Sequence, residues 1–245
     1  MNDKNQIYGL RATIEAIEAE RPINKIYLQR GLQGDLFKEL ETLIRKKGLS
    51  SSYVPLEKLN RLTKSNHQGV VASISPVVFQ EFGTLVESVI SEKSNAFFLL
   101  LDHITDVRNF GAIIRTAECC GVDAIVIPKT GAAPITDDTI KTSAGAAFNI
   151  PITKVDHLKD AIFYLQSCDV SVVAATEKAE NTLYNLNLVD SCAIIMGAED
   201  KGISPSILKI VDHGAKLPML GKIGSLNVSV ACGVVLYEVV RQRLG

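Results

Sequence analysis

The chain has 245 residues, 47% hydrophobic and 22% charged, with a formal net charge of -1. That length suits one large or two small domains, and the charge argues against an overall electrostatic grip on nucleic acid. No apolar run reaches the roughly 18 residues of a membrane span, and the polar N-terminus has no apolar core behind it, unlike a signal peptide. Cys119, Cys120, Cys168, Cys192 and Cys232 are odd in number and lack C-x-x-C spacing. They therefore argue against a disulfide framework or structural zinc and for a reducing cytoplasm.

Residues 1–75 alternate helix and strand. Helices are expected at Arg11–Glu20, ended by Pro22, at Asp35–Lys47, stopped by Gly48, and at Leu56–Leu62. Strands are expected at Lys25–Leu28, Ser52–Val54 and Gly69–Ile74. This makes a small α/β unit with 12 basic and 8 acidic residues, whereas the other 170 residues carry 14 and 19. The front of the chain is the better holder of a polyanion, on a small excess. His67 and Gln68 sit in a polar turn before the third strand, where they would meet RNA or form a plain solvated loop. Arg45-Lys46-Lys47 reads as a helix C-terminus complementing its dipole.

Residues 76–94 read as a linker, with Leu85–Ile90 able to form a helix, and a second domain is expected over 95–245. Its apolar runs at Ala96–Leu101, Ala124–Ile127, Val170–Ala174 and Ala193–Met196 have the pattern of strands covered on both faces. Helical stretches at Phe110–Cys120, Thr139–Phe148, Leu158–Gln166 and Pro205–Val211 separate them. Such alternation means a parallel sheet with helices on both faces, whose ligands sit beyond the carboxyl ends of the strands. From Val228 to Val240 the chain is apolar on nearly every side, which predicts a helix buried all round. Before it, Pro218, Gly221 and Gly224 break a loop in which Ser225 or Asn227 would cap the helix.

Several chemistries are missing from that edge. No G-x-G-x-x-G follows a strand, and there is no P-loop and no G-x-S-x-G. The histidines at 67, 103, 157 and 213 are scattered without metal spacing, and His103 reads as a loop histidine. What remains is polar without a strong nucleophile: Asn109 and Arg115 at a helix opening, Glu199 after a strand, and Ser225 with Asn227 in the last loop. Such a set suits positioning a hydroxyl against an electrophile brought by a cofactor. Singly, Asn109 could just as well be a helix cap and Glu199 a solvated charge.

Three segments, Asn109-Phe-Gly-Ala-Ile-Ile-Arg-Thr-Ala117, Met196-Gly-Ala-Glu-Asp-Lys-Gly202 and Leu217-Pro-Met-Leu-Gly-Lys-Ile-Gly-Ser-Leu-Asn-Val-Ser-Val-Ala231, resemble, in order, the motifs of the SpoU/TrmH branch of SPOUT methyltransferases. Ile7-Tyr-Gly-Leu10 and Asn66-His-Gln-Gly-Val70 resemble the ribosomal-protein-like α/β domain of the RlmB subgroup, guanosine 2′-O-methyltransferases of 23S ribosomal RNA. The resemblance implies an α/β fold, with a C-terminal parallel-sheet SPOUT domain tied in a deep trefoil knot behind a small substrate-binding domain. It implies S-adenosylmethionine as cofactor, RNA as partner, a cytoplasmic homodimer, and neither metal nor membrane. By position, Asn109, Arg115, Glu199, Ser225 and Asn227 match the family's catalytic set. Gly197, Leu217 and Leu226 match its cofactor contacts, and Thr176 is expected to line the same pocket. The family proposal makes Arg115 a general base, but a guanidinium normally stays protonated, so clamping a phosphate and stabilising the developing alkoxide are the other roles open to it.

Overall fold

In the computed structural model of the protein, residues 6–245 are described; the polar N-terminus, residues 1–5, lies outside them. The chain forms two compact units. One reaches Val78 and includes Pro134–Asp137; the other holds Phe79–Ala133 and Asp138–Gly245.

The first unit is built on a sheet of β1 (Gln6–Tyr8), β2 (Ile23–Gln29), β3 (Ser51–Val54) and β4 (Val70–Ile74), in the order β1-β4-β2-β3. β4 runs antiparallel to β1 and β2, and β3 parallel to β2. Along β2, Ile26 and Leu28 are buried while Lys25, Tyr27 and Gln29 alternate with them in partial exposure. Helices α1 (Leu10–Glu18) and α2 (Asp35–Lys46) place Ile14, Ile17, Leu40 and Ile44 against the Ile26, Leu28, Val70 and Ala72 side. On the Tyr27 side, α3 (Leu56–Leu62) packs Leu59 against Val54 and Val71. The expected helices and strands are present to within a few residues. β1 was not expected, since three residues are too short to show a period.

The expected linker is not one. Residues Phe82–Glu92 form α4, whose Leu85 and Val86 are buried in the core of the second unit. Glu81 caps it by accepting from the Gly83 and Thr84 amides, at 3.0 and 2.7 Å. The helical stretch expected at Leu85–Ile90 is the middle of α4, which extends further at both ends.

The second unit carries β5 (Phe97–Asp102), β6 (Ala124–Pro128), β7 (Ile152–Val155), β8 (Ser171–Ala175), β9 (Cys192–Gly197) and β10 (His213–Ala215), all parallel, in the order β10-β8-β9-β5-β6-β7. The four apolar runs supply the four inner strands. β7 and β10 were not expected: edge strands need no continuous apolar run, and theirs are interrupted by Lys154 and Gly214.

Among its helices are α5 (Val107–Cys119), α6 (Asp137–Thr142), α7 (Leu158–Ser167), α8 (Pro205–Leu208) and α9 (Val228–Leu244). Thr139–Phe148 is not one helix. Ala144 and Gly145 take left-handed φ values of 52° and 86°, which break it before a short 3-10 turn at Ala146–Phe148. α8 is also shorter than expected. α9 departs most: Cys232, Val235, Leu236 and Val239 are buried, but Val230, Val234 and Tyr237 remain 53%, 38% and 56% exposed. The helix is therefore not buried all round in the single chain. Its far end is anchored by Arg243, which donates to the Leu188 and Asp190 carbonyls and stacks 4.9 Å from the Phe97 ring.

Candidate active site

The site lies at the carboxyl edge of the parallel sheet, where three distant segments meet. β9 ends at Gly197, and the chain then turns back on itself. The Gly202 amide donates to the Ala198 carbonyl at 2.8 Å. The return is so tight that a Cβ on Gly197 would lie 2.2 Å from the Gly202 carbonyl carbon and 2.3 Å from the Ile203 nitrogen. Only glycine fits there, and that tight turn carries Glu199.

α5 opens on a different cap from the one considered. Asp106, not Asn109, accepts from the Arg108 and Asn109 amides, at 2.9 and 2.8 Å. The Asn109 side chain is thereby released. Its Nδ2 donates to Glu199 Oε2 at 3.3 Å, and its Oδ1 accepts from Asn227 Nδ2 at 3.0 Å. Asn227 Nδ2 also donates to Glu199 Oε1 at 2.7 Å. The two hydrogens of one amide thus close a triangle between residues 118 and 28 positions away in sequence. The other end of Asn227 caps α9, its Oδ1 accepting from the Ser229 and Val230 amides at 3.0 and 3.4 Å. Of the two candidate caps Asn227 is the one used, and burial of α9 therefore fixes the direction of its amide.

Beside the triangle is a cavity of about 470 Å³, lined in part by Thr176, Gly197, Glu199, Leu217, Ser225 and Leu226. All four residues expected to hold a cofactor line it, as do two of the expected catalytic set. Asn109 and Asn227 stand outside the lining and join it through Glu199. Ser225 is exposed and makes no hydrogen bond among the described residues. Arg115 is exposed on α5, neither in the triangle nor in the lining, and pairs with no carboxylate among the described residues. Met219, Ala231 and Val235 also line the cavity and were missed; as apolar residues in a loop and a helix they carry no local signal.

The lining fits S-adenosylmethionine. Its volume is in the range of small-molecule pockets. Leu217, Leu226, Met196 and Val235 offer an apolar wall, and Glu177, Glu199 and Asp200 offer carboxylates for a cationic ligand. No cluster of three His, Cys, Asp or Glu side chains is placed to hold a metal among the described residues, and no helix there is long and apolar enough to cross a membrane. Burial pushes the Cys120 and Cys192 thiols up to about 11, and the Cys232 thiol up as well, so these three remain inert thiols at neutral pH.

His67 is not available to RNA. It is 8% exposed, its Nδ1 accepts from the Gly69 amide at 3.0 Å, and its Nε2 faces Asn60 Oδ1 at 2.9 Å. It braces the turn before β4.

The sequence profile of the SpoU rRNA methylase family matches residues 96–237. A second, described as RNA 2′-O ribose methyltransferase substrate binding, matches residues 6–80. Among similar proteins, the TrmH-family protein YacO of Bacillus subtilis is 33% identical over 97% of this chain and 95% of its own. A TrmH-family protein of Staphylococcus aureus is 35% identical over 97% and 96%. In fold, the chain is similar to the SpoU methyltransferase AviRb from Streptomyces viridochromogenes in complex with AdoMet. The TM-score is 0.62 at 22% identity, covering 98% of this chain and 90% of that one. An AdoMet-bound rRNA methyltransferase from Sinorhizobium meliloti gives 0.63 at 22% identity, covering 98% and 88%. The expected architecture, a parallel-sheet SPOUT domain behind a small α/β domain, is the one found.

Proposed function

Because the chain belongs to the SpoU rRNA methylase family, and is an S-adenosylmethionine-dependent RNA methyltransferase, we propose that it methylates the ribose 2′-oxygen of a guanosine in 23S ribosomal RNA, acting in the cytoplasm as a homodimer. The observation that carries the reading is the Asn109–Glu199–Asn227 triangle set against the cavity that Thr176, Gly197, Leu217 and Leu226 line. When bound there, the cofactor supplies an electrophilic methyl group on a sulfonium. The protein's task is alignment. Glu199, held by the side-chain amides of Asn109 and Asn227, is oriented to receive a ribose hydroxyl. Ser225, at the cavity mouth with a free hydroxyl, positions the same sugar. Arg115, exposed on α5, clamps the neighbouring phosphate with its guanidinium.

The 23S target is supported by the front domain, whose Ile7–Leu10 and Asn66–Val70 segments resemble the guanosine-specific subgroup. Lys25 and Lys58 bring their ammonium groups to 5.8 and 5.5 Å from the Tyr27 ring centre, a basic and aromatic surface suited to RNA. The dimer is supported by the exposed Val230, Val234 and Tyr237 stripe of α9, at the spacing of one helix face. A trefoil threading of the Leu217–Asn227 loop is what the resemblance to the family implies. Incubation of unmodified 23S RNA with labelled cofactor, followed by mapping of the product, tests the target. Label on a guanosine 2′-oxygen is expected; label on transfer RNA or on a base atom overturns it.

A further inference from the structure

His103 follows the last residue of β5 and was read as an ordinary loop residue. Three features set it apart. Its backbone φ is +60°, a conformation that non-glycine residues rarely adopt. Its Nδ1 lies 2.6 Å from Oδ1 of Asp102, which is 2% exposed, so the ring donates to a buried carboxylate. Its ring lies over Gly131, where a Cβ would come 2.8 Å from Cδ2. Backbone, carboxylate and glycine together hold the ring in one orientation. Nε2 makes no hydrogen bond among the described residues, and the side chain is 58% exposed.

The same carboxylate joins this histidine to the methyl-transfer loop. Asp102 Oδ2 accepts from the Ser204 amide at 2.7 Å, at the end of the turn that begins at Gly197 and carries Glu199. In the sheet, Asp102 is the register partner of Gly197. His103 thus stands at the same sheet edge as the Gly197 turn, yet it is not among the cavity-lining residues. A side chain held this firmly, more than half exposed and with Nε2 unpaired among the described residues, is available to a partner outside the protein.

We propose that His103 is an RNA-binding residue of the transferase site, its Nε2 hydrogen-bonding the sugar–phosphate backbone of the substrate strand. A lone pair on Nε2 accepts from a ribose hydroxyl; an N–H there donates to a phosphate oxygen. Both partners lie on the RNA backbone; the cofactor carries ribose hydroxyls too, but its place is the cavity, which His103 does not line. The idea rests on RNA methylation by this chain but not on the identity of the methylated nucleotide.

Two variants separate this role from a structural one. His103→Asn keeps a side chain that tolerates the left-handed conformation and can donate to Asp102, but loses the distal nitrogen. His103→Gly removes the ring and relaxes the backbone. The assay uses the full-length protein and whichever RNA the wild type methylates, so an error in the 23S assignment would appear as a change of target and leave the comparison intact. In both variants KM for RNA is expected to rise about tenfold or more, the loss of one hydrogen bond to a charged group. The cofactor Kd and kcat should stay within about twofold of wild type, and the melting temperature of His103→Asn should not fall. An unchanged KM for RNA in both variants overturns the proposal. So does a fall in kcat at constant KM, which would make the ring a proton carrier, or a parallel loss of cofactor affinity and melting temperature, which would make it structural.

Discussion

Two polar junctions of this chain, one in each unit, place a histidine beside a strand and come to opposite ends. Before β4, His67 is buried and both of its nitrogens are committed inside the turn, one to the Gly69 amide and one to Asn60. After β5, His103 gives one nitrogen to Asp102 and leaves the other unpaired among the described residues, on a side chain that is 58% exposed. The same contrast separates their neighbourhoods. The turn in the small unit uses its polar groups to satisfy its own backbone, whereas the edge of the parallel sheet has other residues do that. Asp106 caps α5 and so frees Asn109; one oxygen of Asn227 caps α9 and frees its nitrogen. A polar side chain is available to a ligand only where some other group has taken over the local structural work.

The comparison breaks most visibly at Gly197. Gly197→Ala puts a methyl into the returning backbone, and should cost about 3 kcal/mol of stability together with at least about a hundredfold in cofactor affinity. Chemical denaturation and titration calorimetry read the two quantities. Retention of normal cofactor binding would mean the turn is not part of the pocket.

Asn227→Asp is the sharper cut. The oxygen that caps α9 survives, but the donor to Glu199 and Asn109 is replaced by a second carboxylate. Turnover should fall tenfold to a hundredfold, for about 1.5–3 kcal/mol of lost charge-assisted hydrogen bonding, while the helix stays folded by circular dichroism. Full turnover would show the triangle to be a bystander.

His67→Ala should behave in the reverse manner. With the Gly69 amide and Asn60 left without their partner, about 1–3 kcal/mol of stability is lost, and the cofactor Kd does not move. A changed cofactor Kd would erase the distinction between the two junctions. Lys58→Gln should lower the salt slope of RNA binding by about one, measured by filter binding from low to moderate salt; an unaltered slope removes the Tyr27 surface from the interface.

The smallest effect concerns acid. Arg241, opposed by burial and aided by Gln242, holds the Glu238 carboxyl below its ordinary value of 4.5. A carboxyl lowered in the folded state contributes stability that is complete above pH 4.5 and lost as pH falls through the lower folded value. Glu238→Gln should therefore lower stability modestly at neutral pH and flatten the acid limb of the stability profile, so that denaturation curves of variant and wild type converge in acid; an unchanged neutral stability would show that the Arg241 pairing contributes nothing.

Much of this was legible beforehand. Buried parallel strands announce themselves as apolar runs, so β5, β6, β8 and β9 and the functional edge beyond them follow from hydropathy alone. The three motifs named every residue of the triangle and five that line the cavity, Gly197, Glu199, Leu217, Ser225 and Leu226. Edge strands β7 and β10 stayed hidden because their short runs are broken by Lys154 and Gly214, and helix α4 showed only its middle, Leu85–Ile90, because polar residues flank it.

Local pattern thus decided which segments are strands and which loops carry the polar groups, since hydropathy and chain stiffness act between near neighbours. Only the tertiary structure decided what each polar group is free to do. That depends on partners such as Asp102 with Ser204, or Asn227 with Asn109, that are about a hundred residues apart and meet only once the sheet has formed. Hydrogen bonds are short and directional. Their allocation, and with it the difference between a brace and a binding group, belongs to the folded molecule.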